Sequence, residues 1–201
     1  MGKSRLEAFS DGVIAVIITI MVLELKVPHG ENLSALLELA PVFLSYVMSF
    51  VYVGIYWNNH HHLFHAVRRI NGRILWANLH LLFWLSLIPF TTAWMAENHF
   101  AEVPIALYGF VLLMCGAAYT MLAACLAAVD GHNATLGKVS GKRDIKGLLS
   151  EVIYAAAIGC AFISKWISLA LYVAVAVMWF VPDRRIEREV EKMEGTHEAA
   201  E

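Results

Sequence analysis

Charged residues are scarce in this chain. They make up 16% of the 201 residues, whereas apolar residues make up 59%, and the mean hydropathy is +0.62. This composition excludes a disordered chain and disfavours an ordinary soluble domain. The formal net charge is −2, so no excess of positive charge supports a nucleic-acid partner.

The few charges are also unevenly distributed. Three stretches contain no charged side chain at all: 39–57, 74–96 and 103–129. Each has about the 20 residues that a helix needs to cross a bilayer. The stretch 148–182 is broken only by Glu151 and Lys165 and fits two shorter spans. With a first apolar helix, the sequence predicts an all-α, polytopic membrane protein with six transmembrane helices.

The predicted domain organisation is simple. Residues 1–182 form one transmembrane domain, and residues 183–201 form a charged cytoplasmic tail. The expected helices cover about 6–26, 36–65, 72–96, 103–129, 147–163 and 166–182. No signal-peptide cleavage site follows the first apolar stretch, so this stretch is expected to remain as a helix. The three cysteines fall within predicted spans and lack metal-ligand spacing, so they are interpreted as packing residues.

The basic residues predict the orientation in the membrane. Of the 15 lysines and arginines, 13 flank the spans on one side, and only Lys26 and Lys165 lie on the other. The positive-inside rule then places both termini in the cytoplasm of a multi-pass protein in the cell inner (plasma) membrane.

The first helix is unusual because its apolar part, residues 12–23, is bounded by Asp11 and Glu24. Twelve residues span only about 18 Å, so other helices are expected to shield it from lipid. One helical stripe, here called the Val16 stripe, consists of Gly12, Val16, Thr19, Ile20 and Leu23. Periodicity alone is compatible with ordinary packing of this stripe, or with a water-filled path that uses the Thr19 hydroxyl. Asp11 lies on another stripe and is expected to face neighbouring helices.

Several residues of the first three predicted helices form a recognisable combination. They are Arg5, Phe9, Ser10 and Asp11 as RxxxFSD, Trp57, His60, Leu63 and Phe64 as WxxHxxLF, and then Asn78 and Pro89. This combination resembles the transmembrane protein 175 family of potassium-permeable channels, in its prokaryotic form with a single six-helix repeat.

The resemblance implies a homotetramer in the lipid bilayer, with a central pore lined by the first helix and K⁺ as the permeant ion. The family's bottleneck position falls on Val16, followed by Thr19, Ile20 and Leu23, which is the stripe found from periodicity. Valine at position 16 is smaller than the isoleucine or leucine that is common at the family's bottleneck position. No cofactor, metal site or catalytic residue is expected, and the protein is not expected to be an enzyme. A TVGYG-like filter is absent from the sequence, so selectivity would come from dehydration and from Thr19.

A second set of residues is expected to support the first helix. Arg5, Ser10 and Asp11 would form a polar cluster with Trp57, His60 and Asn78, next to Phe9 of the same motif. Removal of Arg5 or Asp11 is expected to cost most, because it would strand a buried charge. The alternative is that these side chains face lipid headgroups.

Two other functions remain open. A proton-coupled transporter could use Asp11 and His60 as a relay, but neither an internal repeat nor a broken helix is expected. A membrane metalloenzyme could use the cluster His60, His61, His62 and His65, in which His61 and His65 have i, i+4 spacing. Such enzymes need more histidines than the spans supply, so a metal site is disfavoured.

Overall fold

A computed structural model describes residues 2–65, 67, 70–129 and 145–180, and this part of the chain forms helices and turns without any strand. The helices are α1 Lys3–Leu23, α2 Leu33–Glu38, α3 Ala40–His65, α4 Gly72–Ser86, α5 Ile88–Glu97, α6 Glu102–Val129, α7 Ile145–Ala161 and α8 Lys165–Phe180. The predicted all-α class is confirmed. The predicted tail, 183–201, lies outside the described residues.

Four segments are long and apolar enough to cross a membrane: Lys3–Leu23, Ala40–His65, Gly72–Glu97 and Glu102–Val129. Helix α8 is apolar but shorter. Several spans in one chain make this a multi-pass membrane protein. A total of six spans, which would need α7 and α8 to cross as well, stays a prediction.

The third predicted span, about 72–96, corresponds to the apolar segment Gly72–Glu97, and its helix is interrupted at Leu87. Helix α4 ends at Ser86 and α5 begins at Ile88, with Pro89 in the first turn of α5. Proline has no backbone N–H, and its ring clashes with the carbonyl four residues earlier, which here belongs to Leu85. The Leu87 amide instead donates to the Trp84 carbonyl at 3.2 Å, a tighter turn.

Helix α6 occupies the centre of the bundle and packs against α4, α5, α7 and α8. Helix α1 packs against α3, α4 and α5 through one buried stripe, consisting of Leu6, Ser10, Ile14, Ile17 and Met21. These residues recur every three or four positions, which is the spacing of one helix face. Only one side of α1 therefore contacts the rest of the chain.

Buried hydroxyl groups connect the helices around α6. The Tyr52 hydroxyl donates to the Tyr172 carbonyl at 2.6 Å, and the Tyr172 hydroxyl donates to the Ile105 carbonyl at 3.1 Å. Tyr172 can approach this closely because Gly109 has no side chain: a Cβ there would stand 1.9 Å from the Tyr172 hydroxyl oxygen. Small residues at helix contacts and interhelical hydrogen bonds are typical of membrane bundles.

Candidate functional site

The two faces of α1 differ sharply in exposure. The stripe that packs on α3, α4 and α5 is buried, whereas every member of the Val16 stripe is exposed in the single chain. Val16 is 56% exposed, Ile20 is 43% exposed and Leu23 is 76% exposed. Exposed apolar side chains along one whole face require lipid or another protein surface to cover them.

Thr19 is the polar member of this stripe. Its hydroxyl donates to the Ala15 carbonyl one turn earlier, at 2.8 Å. A hydroxyl has one hydrogen and two lone pairs, so this bond uses the donor and leaves acceptor capacity on the oxygen. Because Thr19 is exposed, its oxygen can accept from water or coordinate a cation in front of the stripe.

An open groove runs along α1, here called the α1 groove. Its volume is about 860 Å³, and its walls are α1 from Ala8 to Glu24 and, on the other side, Ser86, Pro89 and Phe90 at the α4–α5 break. Val16 and Ile20 both line it. The walls are almost entirely apolar, and a groove of this kind suits an apolar helix better than a polar solute.

Three of the predicted cluster residues lie in one buried line, here called the Ser10 network. Asn78 Nδ2 donates to Ser10 Oγ at 2.9 Å, and Ser10 Oγ donates to the Leu6 carbonyl at 2.9 Å. Asn78 Oδ1 lies 2.8 Å from His60 Nε2, so that ring nitrogen carries the hydrogen. Ser10 and Asn78 are 0% exposed and His60 is 2% exposed. The network ties α1 to α4, and α4 to α3.

The charged members of the predicted cluster lie elsewhere. Trp57 Nε1 donates to Asp11 Oδ1 at 3.0 Å, but Asp11 is exposed and Trp57 is 46% exposed. Arg5 is also exposed, and its guanidinium group forms no hydrogen bond or ion pair with another described residue. Phe9 is 48% exposed and lines the α1 groove. In the single chain Asp11 and Arg5 are therefore exposed, and their burial between subunits stays a prediction.

The histidine-rich end of α3 does not gather ligands for a metal. His61 and His65 have ring centroids 6.1 Å apart, and His61 stacks on Trp57. His60 bonds to Asn78, and His80 accepts from Trp84 Nε1 at 2.9 Å. Within the described residues, no group of three or more His, Cys, Asp or Glu side chains could hold a metal ion.

The far wall of the α1 groove was not anticipated from the sequence. Ser86 is the last residue of α4, whereas Pro89 and Phe90 lie in the first turn of α5, and all three line the groove opposite α1. The lone Pro89 within an apolar span was the available signal, because proline in a helix marks a bend. The sequence does not indicate which helix faces that bend.

Known proteins resemble this chain over most of its length. Residues 5–89 match the model of a family described as the endosomal/lysosomal potassium channel TMEM175. A relative from Chryseobacterium sp. (strain P1-3), described as a potassium channel, is 50% identical over 192 residues, which cover 96% of this chain and all of the relative.

Two further similarities differ in extent. A crystal structure of a TMEM175 homolog from Chamaesiphon minutus, titled a lysosomal potassium-selective channel, matches with a TM-score of 0.78 at 31% identity, and covers 89% of this chain and 96% of that chain. A Gallus gallus protein described as the endosomal/lysosomal proton channel TMEM175 is 35% identical over 114 residues, 51% of this chain and 22% of that protein. The family model that matches the first helices, the similar fold and the near full-length relatives all indicate the same family. The chain belongs to the TMEM175 family.

Proposed function

We propose that this chain forms a potassium-permeable cation channel whose pore is surrounded by the first helices of four identical subunits. The observation that carries the proposal is the Val16 stripe: a full apolar face of α1, with one hydroxyl, is exposed beside an apolar groove of the same chain. The Chryseobacterium relative described as a potassium channel supports the choice of ion.

The stripe accounts for conduction without a carbonyl filter. Rings of Val16, Ile20 and Leu23 would form a hydrophobic constriction, which conducts when it is wide enough to wet and closes by dewetting. The Thr19 oxygen, with its hydrogen already donated to Ala15, would replace part of the ion's hydration shell. Selectivity would then follow from the cost of dehydration at the neighbouring apolar rings.

The buried side of α1 would hold the pore in register. The Ser10 network fixes the first half of α1 to α4, so a shift of α1 by one turn would leave Asn78 and Ser10 unpaired. Arg5 and Asp11, which are exposed in the single chain, would then meet neighbouring subunits or water at the cytoplasmic mouth. Both termini would lie in the cytoplasm, and the protein would reside in the cell membrane, without cofactor or enzymatic activity.

A second candidate is proton permeation, because the chicken relative is described as a proton channel. A direct relay between Asp11 and His60 has little support here, since Asp11 bonds to Trp57 and His60 bonds to Asn78. Proton passage would therefore use water in the pore. The lack of a broken helix was one argument against a transporter, and the α4–α5 break removes it. The experiment must therefore also distinguish a channel from saturable exchange.

The test is electrical recording of purified protein in a planar bilayer. Under a potassium/sodium gradient we expect single-channel steps and a reversal potential shifted toward that of K⁺. A pH gradient in symmetrical potassium should leave the reversal potential near zero. A shift toward the proton potential would favour the second candidate, and saturable flux without single-channel steps would indicate a transporter.

Substitutions on α1 test the pore itself. Val16→Ala should widen the neck and change conductance, whereas Val22→Ala, the same change at a position 44% exposed but off the stripe, should not. Thr19→Val keeps the shape, removes the oxygen and should lower the preference for potassium over sodium. If Val16 and Val22 variants conduct alike, α1 does not line the pore.

A further inference from the structure

A second cavity lies inside the bundle, between α3, α6, α7 and α8, and is here called the Glu151 cavity. Its volume is about 40 Å³. No residue of α1 lines it, so it is separate from the α1 groove. Five of its twelve described lining residues are aromatic: Tyr52, Tyr56, Tyr119, Tyr154 and Trp179. At roughly 10–15 Å³ for one water molecule, this space suits a ligand of about two to four heavy atoms.

Glu151 is the carboxylate that lines this cavity. It is half-buried, and Thr120 Oγ1 lies 3.4 Å from its Oε1. The same Thr120 oxygen lies closer to the Gly116 carbonyl, at 3.0 Å, and a single hydroxyl hydrogen serves the shorter contact. No described lysine or arginine forms an ion pair with Glu151. Among the described residues, this half-buried carboxylate therefore keeps acceptor capacity on its oxygens.

Gly116 keeps the cavity open. A Cβ at Gly116 would stand 3.8 Å from the Tyr56 hydroxyl oxygen and 3.9 Å from Glu151 Cγ. The Tyr56 hydroxyl and the Glu151 side chain therefore both lie within 4 Å of the same point beside Gly116. The Tyr56 hydroxyl forms no hydrogen bond with another described residue, so it too can accept from a ligand there.

Trp179, one of the residues that line the cavity, has a lysine near its ring. Its indole nitrogen donates to Ser150 Oγ at 2.7 Å, which fixes the ring, and Lys146 Nζ lies 6.0 Å from the ring centroid. An ammonium group of this chain thus lies near the ring. Aromatic faces attract ammonium ions, and a carboxylate adds an opposite charge and hydrogen-bond acceptors.

We propose that the Glu151 cavity binds a small alkylammonium ion, of the size of methylammonium. The ammonium group would donate to Glu151 and to the Tyr56 hydroxyl, and the alkyl group would contact the aromatic wall. Lys146, at the rim, would compete with the ligand for the Trp179 ring. This site is independent of the pore, so it can be present whether or not the proposed conduction path is correct.

The experiment measures binding of ¹⁴C-methylammonium to the purified full-length protein in lipid nanodiscs, in potassium-free sodium buffer. We expect saturable binding with one ion per chain. Glu151→Gln should weaken it at least about tenfold, as expected for the loss of a hydrogen bond to a charged group. Lys146→Met should strengthen it, because the competing ammonium is removed. Methanol, a neutral molecule of similar size, should not displace the ion.

Gly116→Leu provides an independent test because it fills the cavity and leaves the carboxylate in place. It should abolish saturable binding. Gly159→Leu is the matched control, since Gly159 is an exposed position of α7 where an added Cβ would meet no atom within 4 Å. Elution position and ion flux confirm that each variant is folded. If Glu151→Gln does not fold, Trp179→Phe takes its place, and weaker binding is expected for it. Absence of binding to the native protein, or unchanged binding in the Gly116→Leu variant, overturns the proposal.

Discussion

Gly109 and Gly116 lie seven residues apart on helix α6, and therefore on nearly the same face, yet their surroundings are opposite. The space above Gly109 is filled by the Tyr172 hydroxyl, which donates to a carbonyl of α6. A Cβ at Gly116 would make only ordinary contacts, with Tyr56 and Glu151. The first glycine allows two helices to pack closely, whereas the second has room for an added methyl group.

The same contrast separates the polar groups of the bundle. In the Ser10 network each side chain donates to or accepts from the next, so the line has no free position for a ligand. In the Glu151 cavity the phenol and the carboxylate have capacity to spare beside an open volume. Buried polar groups that are paired with one another, as in the Ser10 network, hold helices together.

The largest effect is expected from Gly109→Ala. The added methyl group would stand 1.9 Å from the Tyr172 hydroxyl oxygen and 2.6 Å from its ring carbon Cζ, so the two helices must separate. Overpacking of this kind costs about 1–3 kcal/mol, or more where the backbone cannot shift. Melting of the detergent-solubilised protein measures it.

Gly116→Ala is the matched control for this comparison. Its Cβ would meet only ordinary contacts, and alanine favours a helix over glycine by about 0.5–1 kcal/mol. The melting temperature should stay the same or rise. An equal fall in both variants would show that the two glycines do not differ in the way described.

Asn78→Ala should have the next largest effect. Asn78 is fully buried and bonds to both Ser10 and His60, so its removal leaves His60 Nε2 without a partner, whereas Ser10 keeps its bond to the Leu6 carbonyl. Such an unpaired group costs about 1–3 kcal/mol, and less where a membrane reference state offers other partners. The elution profile and melting temperature report the loss, and Asn98→Ala, at an exposed position, serves as the control.

A smaller effect is expected from Trp57→Phe, which removes the donor to Asp11. Both residues are exposed in the single chain, so water can replace the bond, and a loss of about 0.5–1 kcal/mol is expected. Yield of the assembled oligomer and ion flux per particle show whether the bond acts only within one chain or also in assembly. A large loss of assembly would mean that neighbouring subunits bury this pair.

The smallest effect is expected from Lys26→Met on the polar surface. A hydrogen bond from Lys26 to Glu97, followed by the attraction of their charges, raises the lysine pKa above its ordinary value of 10.5. The stabilisation by this pair is therefore fully present below about pH 10.5 and is lost as pH rises through the raised pKa. The pair is solvent-exposed, so the melting temperatures of wild type and variant should nearly coincide at pH 7 and converge fully in strong alkali. A clear difference at pH 7 would contradict this ranking.

Much of the fold follows from the sequence through local rules. Apolar stretches of sufficient length predicted the helices, because a backbone in lipid must satisfy its own hydrogen bonds. The Val16 stripe was visible from periodicity, since residues at helical spacing share a face whatever the rest of the chain does. The break at Leu87 was missed, although Pro89 was noted, because a single proline can bend a helix without ending it.

What only the tertiary structure decided is which distant residues meet. Ser10 and Asn78 are 68 positions apart, and Asp11 and Trp57 are 46 apart, and their pairing depends on how α1 packs against α4 and α3. The exposure of Asp11 and the room above Gly116 likewise depend on the rotation and separation of packed helices. Helical periodicity assigns a residue to a face, but the partner of that face is set by packing between segments far apart in the chain.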